Sequence, residues 1–190
     1  MTFWTSYGEN TKDPKRNFRW KIDIGFMTKE SQENIVWWAK KVTKPNYTIQ
    51  ESKHAYLNHT FYWPGRVEWQ TVSLTLVDPV SPNAAALTNR IVQESGYVVP
   101  ANADTLTTMS KGMAGAVLGG VTITQFASDG VTKVEEWTLK NPFIKSVKYG
   151  DLDYENDDLT QIEIELRYDW AECDVEEGGA NSTGEFFHSE

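Results

Sequence analysis

An antiparallel β-sandwich or barrel with one flanking α-helix is the mainly β fold class this sequence predicts, and three observations predict it. Eight Trp, eight Tyr and eight Phe, with many Val, Ile and Thr, favour strands, because large and β-branched side chains suit a pleated, half-buried surface. Several segments alternate apolar and polar residues at period two, while one shows the helical period. The strands follow one another without βαβ alternation, which excludes a doubly wound parallel sheet. With 190 residues and 39% hydrophobic content, the chain suits one domain, placed at residues 1–170, with 1–16 as an N-terminal arm and 171–190 as an acidic flexible tail.

The first strand is NFRWKIDIGF, where Phe18, Trp20, Ile22, Ile24 and Phe26 fall on one face and Arg19, Lys21 and Asp23 on the other. IVWWAKKV and NYTIQES follow as strands around Pro45, which cannot donate to a central ladder. Residues 54–65, HAYLNHTFYWPG, read as a long loop. It carries Tyr56, Leu57, Phe61, Tyr62 and Trp63, more apolar surface than a hairpin connector of about two to five residues needs. Arg66 to Val77 reads as one strand with Val72, Leu74 and Leu76 opposite Thr71, Ser73 and Thr75; Trp69 is out of phase, which predicts a bulge near Gln70. The period then changes. In SPNAAALTNRIVQESG the expected N-cap is Ser81, the first helical residue Pro82, the spaced apolar pair Leu87 and Ile91, and the stop Gly96. PANADTLTTMSKGMAGAVLGG reads as a surface connection with room for one short helix. Strands resume in VTITQFA and TKVEEWTLK around a turn at SDG. The last, LTQIEIELRYDW, alternates Ile162, Ile164, Leu166, Tyr168 and Trp170 against Gln161, Glu163, Glu165, Arg167 and Asp169. Beyond it, AECDVEEGGANSTGEFFHSE has the composition of a tail.

Charge is unevenly placed: Met1 to Lys148 hold 17 basic and 13 acidic residues, Tyr149 to Glu190 hold 1 and 14. An acidic stretch of this kind repels nucleic acid rather than neutralising its phosphates, or is a solvated surface. No apolar run approaches the roughly 20 residues of a membrane helix, and the opening residues lack the apolar run of a secretory signal, so neither membrane insertion nor export by that route is expected. Cys173 is the single cysteine; it excludes an internal disulfide, and acidic neighbours make it a poor nucleophile. His54 and His59 fall on opposite faces of a strand with no third ligand in a metal pattern. Glu135 with Glu136, and Glu163 with Glu165, are the carboxylates a glycosidase pair would need, yet neighbouring strand carboxylates are ordinarily surface. GMAGAVLGG lacks the Lys of a phosphate loop. No enzymatic activity, metal or cofactor is expected.

The most specific cluster is Tyr56, Leu57 and Asn58 ahead of Pro64, Gly65 and Trp69 and a strand ending TLVD; the helix after it, VTKVEEWTLKNPFIKSVKYGDLDYENDD and LTQIEIELRYDW complete the order. To Trp170, that order resembles the tail tube proteins of contractile-tailed bacteriophages, in particular of T-even-like myophages. The resemblance implies a tail-tube or Hcp-like β domain assembled as six-membered rings, with inner strands joined into one barrel and rings stacked into a tube. It further implies a virion tail assembled in the host cytoplasm, with sheath, tape measure, baseplate and tail terminator proteins as partners, and DNA ejected through the lumen without specific binding. Tyr56, Leu57, Phe61, Tyr62 and Trp63 are then buried between subunits. Lumen-lining candidates are the polar strand positions Thr48, Gln50, Ser52, Thr71, Ser73, Thr75, Glu135, Glu163 and Glu165. Two other readings stand beside it. One is the inner tube of a contractile injection or type VI secretion system, similar in fold, with protein as cargo. The other is a monomeric carbohydrate-binding β-sandwich, since flat aromatic faces bind sugars.

Overall fold

The alternating segments pair into two sheets that share one core, and a hairpin projects from them. The structure, a computed structural model, describes residues 14–26, 38–81, 83–102, 107–176 and 183–188. A five-stranded sheet contains β1 (Trp20–Ile24), β6 (Val121–Phe126), β7 (Lys133–Lys140), β10 (Trp170–Glu176) and β11 (Thr183–Phe186), in that order. A four-stranded sheet contains β2 (Ala39–Val42), β5 (Val72–Val77), β9 (Gln161–Arg167) and β8 (Phe143–Lys148), again in that order. The projecting pair is β3 (Tyr47–Tyr56) and β4 (His59–Trp69). Every pairing is antiparallel.

Period two sets the core. Ile22, Ile24, Val121, Ile123, Leu139 and Ala171 point inward from the first sheet, and Val72, Leu74, Leu76, Ile162, Ile164 and Leu166 from the second. The registers set Ile22 beside Ile123, Val121 beside Leu139, and Leu74 beside Ile164. Each fully buried side chain of this size contributes roughly 1.5–3 kcal/mol. Phe18, expected on this face, lies before β1 and is 75% exposed.

Helix α1 (Ala84–Glu94) buries Ala84, Thr88 and Ile91. Its N-cap is Asn83 rather than Ser81: Asn83 Oδ1 accepts the Ala86 N–H at 2.7 Å, and Asp78 Oδ1 accepts the Ala84 N–H at 3.2 Å. Those two side chains serve the free amides of the first turn, so Ser81 sits too early to do so; Pro82 lies outside the described residues. Gly96, at φ 103°, follows the last turn as expected. A second helix, α2 (Lys111–Leu118), is the short one for which the connection had room; Ser110 caps it, and Ala114 and Leu118 are buried. Small residues mask its apolar stripe; among the described residues, Ala84–Glu94 and Lys111–Leu118 both flank the sheets where one flanking helix is expected.

The C-terminal segment departs most from expectation. β10 is an internal strand between β7 and β11, with Ala171 beside Leu139 and Cys173 beside Trp137. These side chains are 0% and 5% exposed. Glu172 and Asp174 face outward on the same strand: Glu172 meets Lys140 at 2.8 Å, and Asp174 meets His188 at 2.8 Å. Trp170–Glu176 is therefore a strand held between two others, not a flexible tail. Burial raises the Cys173 pKa, with Glu135 and Asp174 adding to it.

Candidate functional site

Residues 54–65 form the outer half of a regular hairpin rather than a long loop. Tyr56 pairs with His59 across a turn of Leu57 and Asn58, and pairing runs back to Tyr47 with Trp69. At about 3.3 Å per residue, strands of 10 and 11 residues project on the order of 30 Å. All of β3 and most of β4 is exposed. Large side chains on both faces of the outer half hid the alternation. One face carries Tyr62, with the Lys53 ammonium 5.6 Å from its ring centre. The other carries a ladder in which His54 meets Trp63 at 6.1 Å, Phe61 meets Trp63 at 6.1 Å and His59 meets Phe61 at 4.7 Å. The turn lies between the two histidines, so they share a hairpin face instead of pointing opposite ways; no metal-binding cluster of three occurs among the described residues.

The expected bulge near Gln70 lies instead at Gln50, opposite Gly65 and Arg66. A Cβ on Gly65 would stand 2.9 Å from the Gln50 carbonyl oxygen, so glycine permits that crossing. Trp69 ends β4, and the Gln70 N–H donates to the Asn46 carbonyl at 2.8 Å as the chain turns into β5. An aromatic cluster fixes the root: Trp69 lies 5.2 Å from Tyr47, 5.4 Å from Phe187 and 5.9 Å from Tyr168. Burial pushes the Tyr168 phenol up to about 12. At the tip, Leu57 has φ 54° and is 88% exposed. A left-handed backbone costs a non-glycine residue roughly 1–2 kcal/mol, and this leucine gains little burial within its own chain.

The lumen candidates do not share one face. Thr48, Gln50 and Ser52 lie on the hairpin, Thr71 precedes β5, and Glu135 belongs to the five-stranded sheet. Ser73, Thr75, Glu163 and Glu165 do come together on the outer face of the four-stranded sheet, Ser73 opposite Glu165 and Thr75 opposite Glu163. The expected wall of hydroxyls and carboxylates is incomplete there. Lys145 meets Glu165 at 3.3 Å and Lys148 meets Glu163 at 3.6 Å. Lys41 stands opposite Thr75, and Arg167 opposite Phe143, on the same face. Lys145 and Lys148 are three residues apart in FIKSVK and come to one face through the register shift between Ile144 and Ser146, which local alternation does not announce.

Glu135 works differently. It shares the inward side of its sheet with Gln125 and Val175, near the sheet's end. Burial alone would raise its pKa, but bonds from Lys15, Lys44 and Trp137 Nε1 outweigh it and bring the group down to about 2. Lys44 Nζ also reaches Gln125 at 2.7 Å, so Glu135 ties the segments before β1 and β3 to the sheet. A carboxylate with a depressed folded pKa stabilises above its unfolded value of 4.5, and that contribution fades as pH falls towards about 2. Glu135→Gln is therefore expected to lower stability by about 1–2 kcal/mol at pH 7, discounted because both lysines are half exposed. Chemical denaturation at pH 7 and near pH 2 checks it: the difference from the native chain should shrink at the lower pH.

No protein-family profile and no curated protein sequence matches the chain. Solved structures do. A chain of the anti-feeding prophage tube-terminating cap superposes with TM-score 0.64 at 14% identity, over 91% of this chain and 99% of that one. A chain of the sheath/tube terminator of the extracellular contractile injection system PVC gives 0.60 at 15%, over 85% and 97%. One from the PVC sheath-tube complex gives 0.54 at 16%, over 85% and 92%. This chain thus has the fold found among the tube and tube-terminating assemblies of contractile injection systems. At such identities the likeness concerns the fold alone.

Proposed function

We propose that the chain is a structural, non-enzymatic subunit that forms rings in the inner tube of a contractile injection device, or at the tube's terminating end. The observation that carries this reading is the hairpin, which exposes Tyr56, Leu57, Phe61, Tyr62 and Trp63 together. Apolar patches beyond a few hundred Å² mark interaction sites on soluble proteins, and stacked copies bury such an arm between neighbours. The fold shared with tube-terminating and sheath-tube assemblies supports the same placement. Sheath, baseplate and terminator components are then the partners, and joining sheets edge to edge removes free edges.

The polar face of the four-stranded sheet is the proposed channel wall. Its charges bear on the cargo. Lys41, Lys145, Lys148 and Arg167 share it with Glu163 and Glu165. Repeated around a ring, that cationic excess would hold DNA by its phosphates. It favours protein cargo in an injection system over frictionless DNA ejection through a phage tail with its tape measure protein. Negative-stain microscopy of the purified chain over a concentration series tests the reading. Rings or tubes with a central channel are expected. A chain that stays monomeric at every concentration, and that retains a sugar on a glycan array, would establish the carbohydrate-binding alternative.

A further inference from the structure

The two faces of the hairpin differ in charge. Paired residues share a face, so the register sets Ser52, His54 and Tyr56 of β3 beside Trp63, Phe61 and His59 of β4 on one side. No Asp, Glu, Lys or Arg stands among these six. Lys53 lies on the other side with Tyr62, and its ammonium is paired with Glu51 at 3.2 Å. β3 and β4 pair with no other strand, and both histidines are exposed. The chain has three histidines. Two of them therefore lie on this one uncharged face, His54 against the Trp63 ring and His59 against the Phe61 ring.

An unpartnered charge is costly to bury, so a face of this kind fits a surface that is itself apolar and uncharged. Several exposed apolar groups lie beside charge. Leu152, Tyr154 and Leu159 stand in the β8–β9 connection among five carboxylates, and Phe18 lies between Arg16 and Arg19. The segment after α1 differs: Tyr97, Val98 and Val99 are exposed, as are Met109 and Met113. The two stretches meet at Gly96, where a Cβ would stand 3.0 Å from the Thr108 carbonyl oxygen and 3.4 Å from the Met109 Cα. Ser110 Oγ accepts the Met113 N–H at 3.2 Å and carries the surface onto α2. Gly96 to Asn102 and Thr107 to Ser110 contain no Asp, Glu, Lys or Arg; Asp104 lies outside the described residues. Lys111, which follows, is drawn aside to Asp169 at 2.7 Å.

We infer that the His54–Trp63 face of the hairpin docks, with both imidazoles neutral, on the surface of Tyr97, Val98, Val99, Met109 and Met113 of another copy, and that protonating the imidazoles releases it, so that pH gates assembly. The inference deepens the tube reading and rests on it: that reading buries the arm, and the histidines make the burial conditional. Histidine changes charge between about pH 5 and 8. In the free arm a charged imidazole keeps its water and lies against an aromatic ring, a contact that suits a cation. In the docked arm it loses the water and gains no carboxylate. Tyr56 and Tyr97 are the other titratable groups at the contact. At its margins, Glu51 is held by Lys53, and Asp169 by Lys111 and Asn141. The docked state thus binds fewer protons than the free one, so assembly strengthens as pH rises through the histidine range and weakens as it falls.

The threshold concentration for assembly, read by sedimentation velocity and microscopy at about pH 7.5 and about pH 5.5, tests the gate, with melting curves showing that each variant is folded. For the native chain it should rise at least tenfold at the lower pH. His54→Gln with His59→Gln should remove that response. His188→Gln should keep it, because this third imidazole contacts Glu172 and Asp174 on the five-stranded sheet. Val98→Glu with Val99→Glu places carboxylates on the receiving surface. Its threshold at neutral pH should rise at least tenfold, and acid should then strengthen assembly, since each imidazolium finds a partner. Should that variant melt without cooperativity, Val99→Glu alone replaces it, with the same reversal expected. A native threshold that does not change with pH, or a response that survives the loss of His54 and His59, would overturn the gate. A native threshold that falls in acid would overturn it too, and would seat the hairpin against the carboxylates of the β8–β9 connection. A Val99→Glu chain that assembles as the native one does would overturn the receiving surface. A native chain that forms no rings under any condition would overturn the tube reading itself.

Discussion

Truncation after Ala171 is expected to destroy cooperative folding. The cut removes most of β10, which pairs with β7 from Trp170–Lys140 to Val175–Glu135, and all of β11. It deletes Cys173 from beside Trp137, and Glu172, which is 8% exposed and bonded to Lys140. It also removes Phe187 from the rings of Tyr47 and Trp69 at the hairpin root. Ladder hydrogen bonds contribute about 1 kcal/mol each, and β7 is left as an open edge beside the core. The summed loss is on the order of 5 kcal/mol, a large share of the roughly 5–15 kcal/mol that holds an ordinary domain together. A fall in Tm of at least about 10 °C, or no transition at all, should appear by calorimetry. Truncation after Glu176 keeps β10 but loses the edge strand β11, the Phe187 ring contacts and the His188 contacts, and should cost about 2–4 kcal/mol, less than the Ala171 cut. If the Ala171 truncation melts with the full-length chain, β10 has no structural role.

The same segment shows where the sequence was legible. Strands with one buried face, such as Trp20–Ile24 and Gln161–Arg167, announce themselves because alternation and burial coincide. WAECDVE alternates too, but its inward Ala171, Cys173 and Val175 are small and Glu172 and Asp174 between them are acidic, so composition outweighs pattern. The hairpin was misread for the opposite reason: with no buried face, nothing constrained its residues to alternate, and aromatics fill both sides. Ser73, Thr75, Glu163 and Glu165 meet on one face because each lies on a strand with a clear inward partner set. That Thr48, Gln50, Ser52 and Glu135 lie on other sheets depends on long-range pairing that local alternation does not encode.

Removing the outer hairpin should separate assembly from folding. Ser52 pairs directly with Trp63, so residues 53–62 can be replaced by Asn-Gly, the favoured two-residue hairpin turn. The shortened hairpin loses His54, Tyr56, Leu57, Phe61 and Tyr62 but keeps its bulge and its aromatic root. Because the removed side chains are exposed in the isolated chain, its melting temperature should change by no more than a few degrees. Assembly should weaken at least 100-fold in threshold concentration, equivalent to about 2.7 kcal/mol, which burial of one or two such side chains already supplies. Leu57→Gly isolates the tip. Relief of the left-handed backbone should leave the monomer as stable or up to about 1 kcal/mol more stable, while loss of the apolar tip weakens stacking. A leucine kept at a strained, solvent-exposed turn is accounted for only if it is buried in the assembled state. Sedimentation and microscopy of both variants decide the matter: tubes of native length at native threshold concentration, formed without residues 53–62, would show that the hairpin is not an assembly arm.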